Sequence, residues 1–145
     1  MNGDIVYKIY KASRIMYDRK IPVFPKLLKV LSRIIFSCEI PYQATIGANT
    51  SFAHHGLAVV IHPKVQIGRN CKILHSVTIG GRRNSCGLPI IGDNVVIGAG
   101  ACILGDVRIG DNVEVGAGAV VITDIPENCT AVGIPAKIIK KEKSI

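Results

Sequence analysis

The sequence predicts an all-β fold, a parallel β-helix of hexapeptide repeats, with a short helical segment ahead of it. Three observations carry that expectation. An aliphatic residue recurs at every sixth position as Ile61, Ile67, Ile73 and Ile79 and, after an interval of twelve, as Ile91, Ile97, Ile103, Ile109, Val115 and Val121. Glycine follows this mark at Gly68, Gly80, Gly92, Gly98, Gly110 and Gly116. A small or β-branched residue stands two places before it at Val65, Val77, Val95, Ala101, Val107 and Ala119. A period of six matches neither an α-helix nor a simple alternating strand. It matches a short strand and a corner repeated, with the aliphatic mark inward and the small residue easing the bend.

Three such units make a coil of about 18 residues, and coils stack at a strand separation of about 4.8 Å, so like residues rise in columns around one continuous core. Asn49, Asn70, Asn94 and Asn112 read as corner residues, because asparagine tolerates the left-handed conformation. Ile46-Gly47 and Phe52-Ala53 carry the pattern back by a partial coil. Between Phe52 and Ile61 the spacing is nine, so three residues leave the regular path at His54-His55-Gly56. A repeat that breaks at titratable residues is where chemistry is expected. Residues 81–89 fall in the twelve-residue interval and carry glycine, charge and no central mark; they read as a loop projecting from a corner.

The N-terminal segment has a different pattern. Ile5, Ile9, Ala12 and Met16 give a moderately apolar helical face, Pro22 and Pro25 interrupt it, and Lys26 to Phe36 reads as a second helix. That second helix carries Leu27, Leu28, Val30, Leu31, Ile34 and Ile35 over a wide apolar arc. Two readings stay open: helices packed on the first coil, or a basic amphipathic segment resting on a membrane surface. The expected divisions are 1–37 for the helical segment, 38–136 for the β-helix with its loop at 81–89, and 137–145 for a basic tail.

A length of 145 residues suits one domain, and 48% hydrophobic residues against 19% charged exclude general disorder. The net charge of +8 suits an anionic partner. The cations gather at the two ends of the chain rather than along a stripe, which argues against nucleic acid. Five cysteines lack CxxC spacing and read as reduced thiols. His54, His55, His62 and His75 lack a metal-binding motif, so no metal is expected. Without a secretory signal or an uncharged stretch of membrane-spanning length, the expectation is a cytoplasmic protein, with peripheral contact at the inner face of the membrane as the alternative.

Four runs sharpen the reading: Ile61-His62-Pro63 through Ile67-Gly68, Ser76-Val77-Thr78-Ile79-Gly80-Gly81, Ile97-Gly98-Ala99-Gly100-Ala101, and Ala131-Val132-Gly133-Ile134-Pro135-Ala136. Together they resemble the hexapeptide-repeat acyltransferases of the serine O-acetyltransferase type. The resemblance implies a left-handed β-helix, a homotrimer, acetyl-CoA bound between adjacent subunits, and acetyl transfer to a hydroxyl. It also implies a general base at His54 and an acidic partner at Glu39, where the serine enzymes have aspartate. Two positions depart from those enzymes. Ala53 stands in place of an aspartate that contacts the amino acid, and Gly87-Leu88, in a shortened loop, in place of an Arg-His pair. The charged partners of an ammonium and a carboxylate are thereby missing. With the short N-terminal segment, this most resembles the serine acetyltransferase-like proteins of capsular and exopolysaccharide synthesis, whose acceptor is a sugar hydroxyl.

Moving an acetyl group from a thioester to an alcohol needs a base, donors for the developing oxyanion and a slot for the CoA arm. His54 supplies the first, imidazole being the side chain that ordinarily titrates nearest neutrality; His55 takes its place if the bulge turns the other way. Gly80 and Gly81 offer backbone amide where the lack of a Cβ admits the thioester. Gly98, Ala99, Gly116 and Ala117 would line the pantetheine slot. Lys137, with Lys140 or Lys141, would meet the CoA phosphates, unless these lysines are a solvated end. His55, His75, Arg82 and Arg83 are expected around the acceptor, the arginines facing an anionic or lipid-linked sugar, while His62 reads as a corner residue. The expected function is an O-acetyltransferase acting from acetyl-CoA on a sugar or glycan intermediate. The alternatives are a serine O-acetyltransferase, an N-acetyltransferase on an amino-sugar and an inactive trimeric scaffold. A γ-class carbonic anhydrase is set aside for want of its three-histidine zinc motif.

Overall fold

A computed structural model of the chain describes residues 4–140. Each aliphatic mark ends or centres a strand of two or three residues, and the strands stack on three faces. The first face holds β1 (Thr45–Ile46), β4 (Gln66–Ile67), β7 (Ile90–Ile91) and β10 (Arg108–Ile109). The second holds β2 (Ser51–Phe52), β5 (Lys72–Ile73), β8 (Val96–Ile97), β11 (Glu114–Val115), β13 (Cys129–Val132) and β14 (Lys137–Lys140). The third holds β3 (Val60–Ile61), β6 (Thr78–Gly80), β9 (Cys102–Leu104) and β12 (Val120–Val121). The result is a parallel β-helix, as the period of six predicts. Among the described residues only β14 runs antiparallel, on β13, so the basic tail expected from residue 137 begins instead as a paired strand.

The register shows where residues leave the path. Val60 pairs with Thr78, eighteen positions on, which is one undisturbed coil. Ser51 pairs with Lys72, three positions further than that, because the His54-His55 bulge intervenes. Thr78 pairs with Cys102, six positions further, because the 81–89 loop intervenes.

Inside the coils the marks Ile73, Ile97, Ile103 and Val121 are fully buried, and so are Val65, Val77, Val95, Ala101 and Ala119. The residue two places before the mark is thus a second inward column of the core, beyond easing a bend. Glycine after the mark answers to close approach between coils. A Cβ on Gly98 would stand 2.5 Å from the backbone nitrogen of Ala117 in the next coil. Asparagine does hold the left-handed corners: Asn49, Asn70, Asn94, Asn112 and also Asn128 have φ of 56–59°. Along this column each Nδ2 donates to the next Oδ1 at 3.0–3.3 Å.

Two helices cap the first coil, α1 (Ile5–Asp18) and α2 (Phe24–Phe36). Asp4 N-caps α1, its Oδ1 accepting from Val6 N at 2.9 Å, and its Oδ2 accepts from Phe52 N in β2. Tyr10 joins the same seam by donating to the Ala44 carbonyl at 2.7 Å and accepting from Ile46 N at 3.0 Å. These polar joints select Val6, Tyr10 and Ser13 as the buried stripe, one position away from the expected face, and Ile5 is left 46% exposed. On α2 only Pro25 and Ser32 are buried, so the wide apolar arc turns outward.

Candidate active site

The bulge is built from backbone that ordinary residues avoid. Between β2 and β3 the chain makes a tight turn over Ala53–Gly56, with His54 at φ 52°, ψ 38° and His55 at φ 55°, ψ 31°. A left-handed residue other than glycine costs about 1–2 kcal/mol, and strain of this kind gathers at functional sites. Gly56 completes the turn at φ 68° and lies buried against Ile40, Cys38 and Phe52.

Two successive left-handed residues send the imidazoles different ways. His54 meets the ring of His75 edge-on, with centroids 5.2 Å apart, while His55 lies 5.7 Å from the ring of Phe36 on α2. Both histidines are exposed. The Nδ1 of His75 is buried and has no hydrogen-bond partner among the described residues.

The register places the rest. Phe52, Ile73, Ile97, Val115 and Ala131 lie across from one another in successive coils. The residues two places beyond each of them, His54, His75, Ala99, Ala117 and Gly133, therefore follow one corner of the β-helix. Backbone bonds tie this corner together, Gly100 N to His75 O at 3.0 Å and Gly118 N to Ala99 O at 2.8 Å. Lys137 opens β14 opposite Val132, at the far end of the same corner, and is exposed. Gly98 and Gly116 belong to this edge too, although coil packing alone already excludes a Cβ at Gly98. Lys140 ends β14, and Lys141 lies outside the described residues.

Glu39 has a partner that the sequence did not foretell. Its carboxylate is held by Lys29 at 3.3 Å and Arg33 at 3.2 Å, both on α2. No hydrogen bond joins it to His54 among the described residues, although its backbone pairs with Val60 just past the bulge. In place of the expected imidazole–carboxylate contact, the Glu39 carboxylate is engaged by the cations of α2.

A groove of about 1290 Å³ opens beside the bulge, lined by Asp4, Tyr7, Lys8, His54, His55 and Cys71 among others. Sequence reasoning overlooked Asp4, Tyr7 and Cys71; the N-cap position of Asp4 before an apolar run was the available signal for the first. Burial pushes the Cys38 thiol, beneath the bulge, up to about 11, with the Asp4 carboxylate adding to the shift. Burial likewise raises the Cys71 thiol. Neither sulfur is therefore a thiolate at neutral pH.

The remaining expected residues sit elsewhere. Gly80 ends β6 and Gly81 follows it, where the chain turns from the third face toward the first. The N–H of Gly81 has no hydrogen-bond partner among the described residues, and a Cβ on Gly80 would meet only His62, at 3.8 Å. Arg82 and Arg83 line a cavity of about 380 Å³ with Ser85, Leu104, Asp106 and Ile122. Ser85 Oγ braces that loop by accepting from Asp106 N at 2.9 Å. His62 is the corner residue it was read as, its Nδ1 accepting from Lys64 N at 3.2 Å. Within one chain the expected site thus divides between two corners, with His54, His75 and Lys137 on one and Gly81, Arg82 and Arg83 on the other.

Comparison with known proteins decides the family. Residues 89–123 match the family described as Bacterial transferase hexapeptide (six repeats). The serine acetyltransferase of Helicobacter pylori is 40% identical over 136 residues, covering 92% of this chain and 79% of that protein. The chain belongs to the serine acetyltransferase family of hexapeptide-repeat acyltransferases. Within the family, the serine acetyltransferase of Synechococcus elongatus is 42% identical over 132 residues, 90% of this chain and 54% of that protein. The chain spans about half the length of the first relatives it matches. Among solved family structures, soybean serine acetyltransferase complexed with serine superposes with a TM-score of 0.85 at 37% identity, over 92% of this chain and 56% of that one. The Brucella abortus serine acetyltransferase in complex with coenzyme A superposes with a TM-score of 0.84 at 34% identity, over 93% and 54%. Among the described residues no group of three or more metal-ligating side chains assembles, and no helix is long and apolar enough to cross a membrane.

Proposed function

We propose that the chain is an acetyl-CoA-dependent O-acetyltransferase in which His54 is the general base. The observation that carries this reading is a strained bulge holding His54 at the head of a corner that runs past Ala99 and Ala117 to Lys137. The small residues leave room for a pantetheine arm, and the lysine suits the CoA phosphates. In the proposed step the acceptor oxygen attacks the thioester carbonyl carbon while His54 takes its proton. The tetrahedral intermediate then expels the CoA thiolate, which receives that proton from the imidazolium. Direct attack is favoured over an acyl-cysteine because burial keeps Cys38 and Cys71 protonated. The ring of His75, edge-on to that of His54, would help to hold the base in place, and Glu39 would orient His54 on leaving its α2 cations. The division of the site between two corners supports a homotrimer, in which Gly81 of the partner subunit would face His54 and donate to the oxyanion.

The acceptor favoured by the comparisons is L-serine, since the relatives bear that name and one is solved with serine bound. A sugar or glycan hydroxyl is the second reading. It rests on Ala53, on Leu88, and on Arg82 and Arg83 beside a separate cavity. Asp4 is a carboxylate of the His54 groove, but the amides of Val6, Tyr7 and Phe52 engage it. The test is CoA release from acetyl-CoA with L-serine, simple sugars, nucleotide sugars and lipid-linked oligosaccharides. Replacing His54 by alanine is expected to lower turnover about 10²–10⁴-fold with the best acceptor; unchanged turnover would refute His54 as base. Turnover with serine alone would remove the glycan reading, and the converse would remove serine.

A further inference from the structure

We infer that the outward side of α2 docks on an anionic membrane surface, lying in its plane. An ordinary surface helix turns its apolar side toward the protein, and α2 does the reverse. Phe24 is 57% exposed, Leu27 50%, Val30 45%, Leu31 46%, Ile34 74% and Ile35 60%. At the helical repeat these residues fall along one side. The inner side is already engaged through Pro25 and Ser32, and through Lys29 and Arg33 on Glu39.

The charge around this strip says what would cover it. No acidic side chain lies on α2, and Lys26 at its edge is exposed with no ion pair among the described residues. Lys8, Lys11, Arg19 and Lys20, on α1 and the turn after it, are exposed and unpaired in the same way. An apolar strip edged by Lys26, on a helical segment that carries further free cations and few acids, complements acyl chains beneath anionic headgroups. A second copy of the chain fits less well. A helix of 13 residues is about 20 Å long and would present a strip of about 200 Å², against about 800 Å² per partner in a stable complex. Pairing two such strips would also bring the exposed Lys26 at the edge of each copy to the seam. With 13 residues α2 lies on a bilayer and does not span one. This inference does not depend on the acceptor or on acetyl transfer.

The test is co-sedimentation of the full chain with vesicles of phosphatidylcholine alone and of phosphatidylcholine mixed with phosphatidylglycerol. Binding is expected to the mixed vesicles, falling as salt rises. The double variant Ile34→Asp/Ile35→Asp should weaken it by about a hundredfold through lost apolar burial, and Lys26→Glu by about tenfold. All three positions face solvent, so circular dichroism and Tm should match the native chain, and Lys26→Glu stands as an independent arm should the double variant unfold. Absence of native binding to the mixed vesicles would overturn the proposal. So would a folded double variant that binds as well as the native chain, which would make the attraction one of charge alone. Native self-association in the absence of lipid, abolished by the double variant, would assign the strip to a second copy instead.

Discussion

Ile97 and Ile103 in the coils have no exposed surface, whereas Ile34 and Ile35 in α2 leave 74% and 60% of theirs in solvent. The residue type is the same, and the packing logic differs. A coil closes on itself every three strands, so an inward residue meets its own kind above, below and across. The helices touch the β-helix through a few polar joints: Asp4 on Phe52 N, Tyr10 between Ala44 and Ile46, and Lys29 with Arg33 on Glu39. Such joints fix position while Val6 and Tyr10 of α1 enter the shared core and Tyr7 and Phe36 pack against it, and the opposite side of α2 is left free for another role.

Three substitutions probe that contrast. Ile103→Ala opens a cavity in the middle of the stack and is expected to cost about 2–5 kcal/mol, read as a lower denaturant midpoint. Tyr10→Phe leaves the Ile46 N–H unpaired at a buried seam, while the Ala44 carbonyl keeps Arg14 Nη1 at 3.1 Å; about 1–3 kcal/mol is expected, together with earlier exchange of the α1 amides than of the β9 amides. Ile35→Ala should change stability by no more than about 0.5 kcal/mol. A Tm drop for Ile35→Ala as large as that of Ile103→Ala would mean that the outer side of α2 is covered in solution by another part of the assembly.

Much of the fold was legible because the repeat is a local code. The mark, the glycine and the asparagine recur at fixed offsets, and each unit repeats the demand of the one before it, so strands, corners and the two interruptions could be placed from spacing alone. The helices lacked such redundancy. Whether Ile5 or Val6 faces the coil turns on one capping aspartate and one tyrosine hydroxyl, and a shift of one residue rotates the whole face. Lys137–Lys140 read as tail because its pattern does not continue the parallel repeat; its pairing with β13 is antiparallel.

The candidate site shows the same boundary. His54 was found by the broken period, and the edge through Ala99 and Ala117 by stacking identical offsets. Left-handed turns at both His54 and His55, which direct one ring to His75 and the other to Phe36, depend on backbone angles that no spacing encodes. The partners of Glu39 come from a helix that is distant in the fold's periodic logic. The sequence by itself determined the coiled β architecture, its core columns and the location of its interruptions, because those follow from repetition along one dimension. Only the tertiary structure decided which imidazole faces the corner, where Glu39 directs its charge and which way α2 turns its apolar side. Each of those outcomes is set by whichever neighbour the folded chain brings within contact distance.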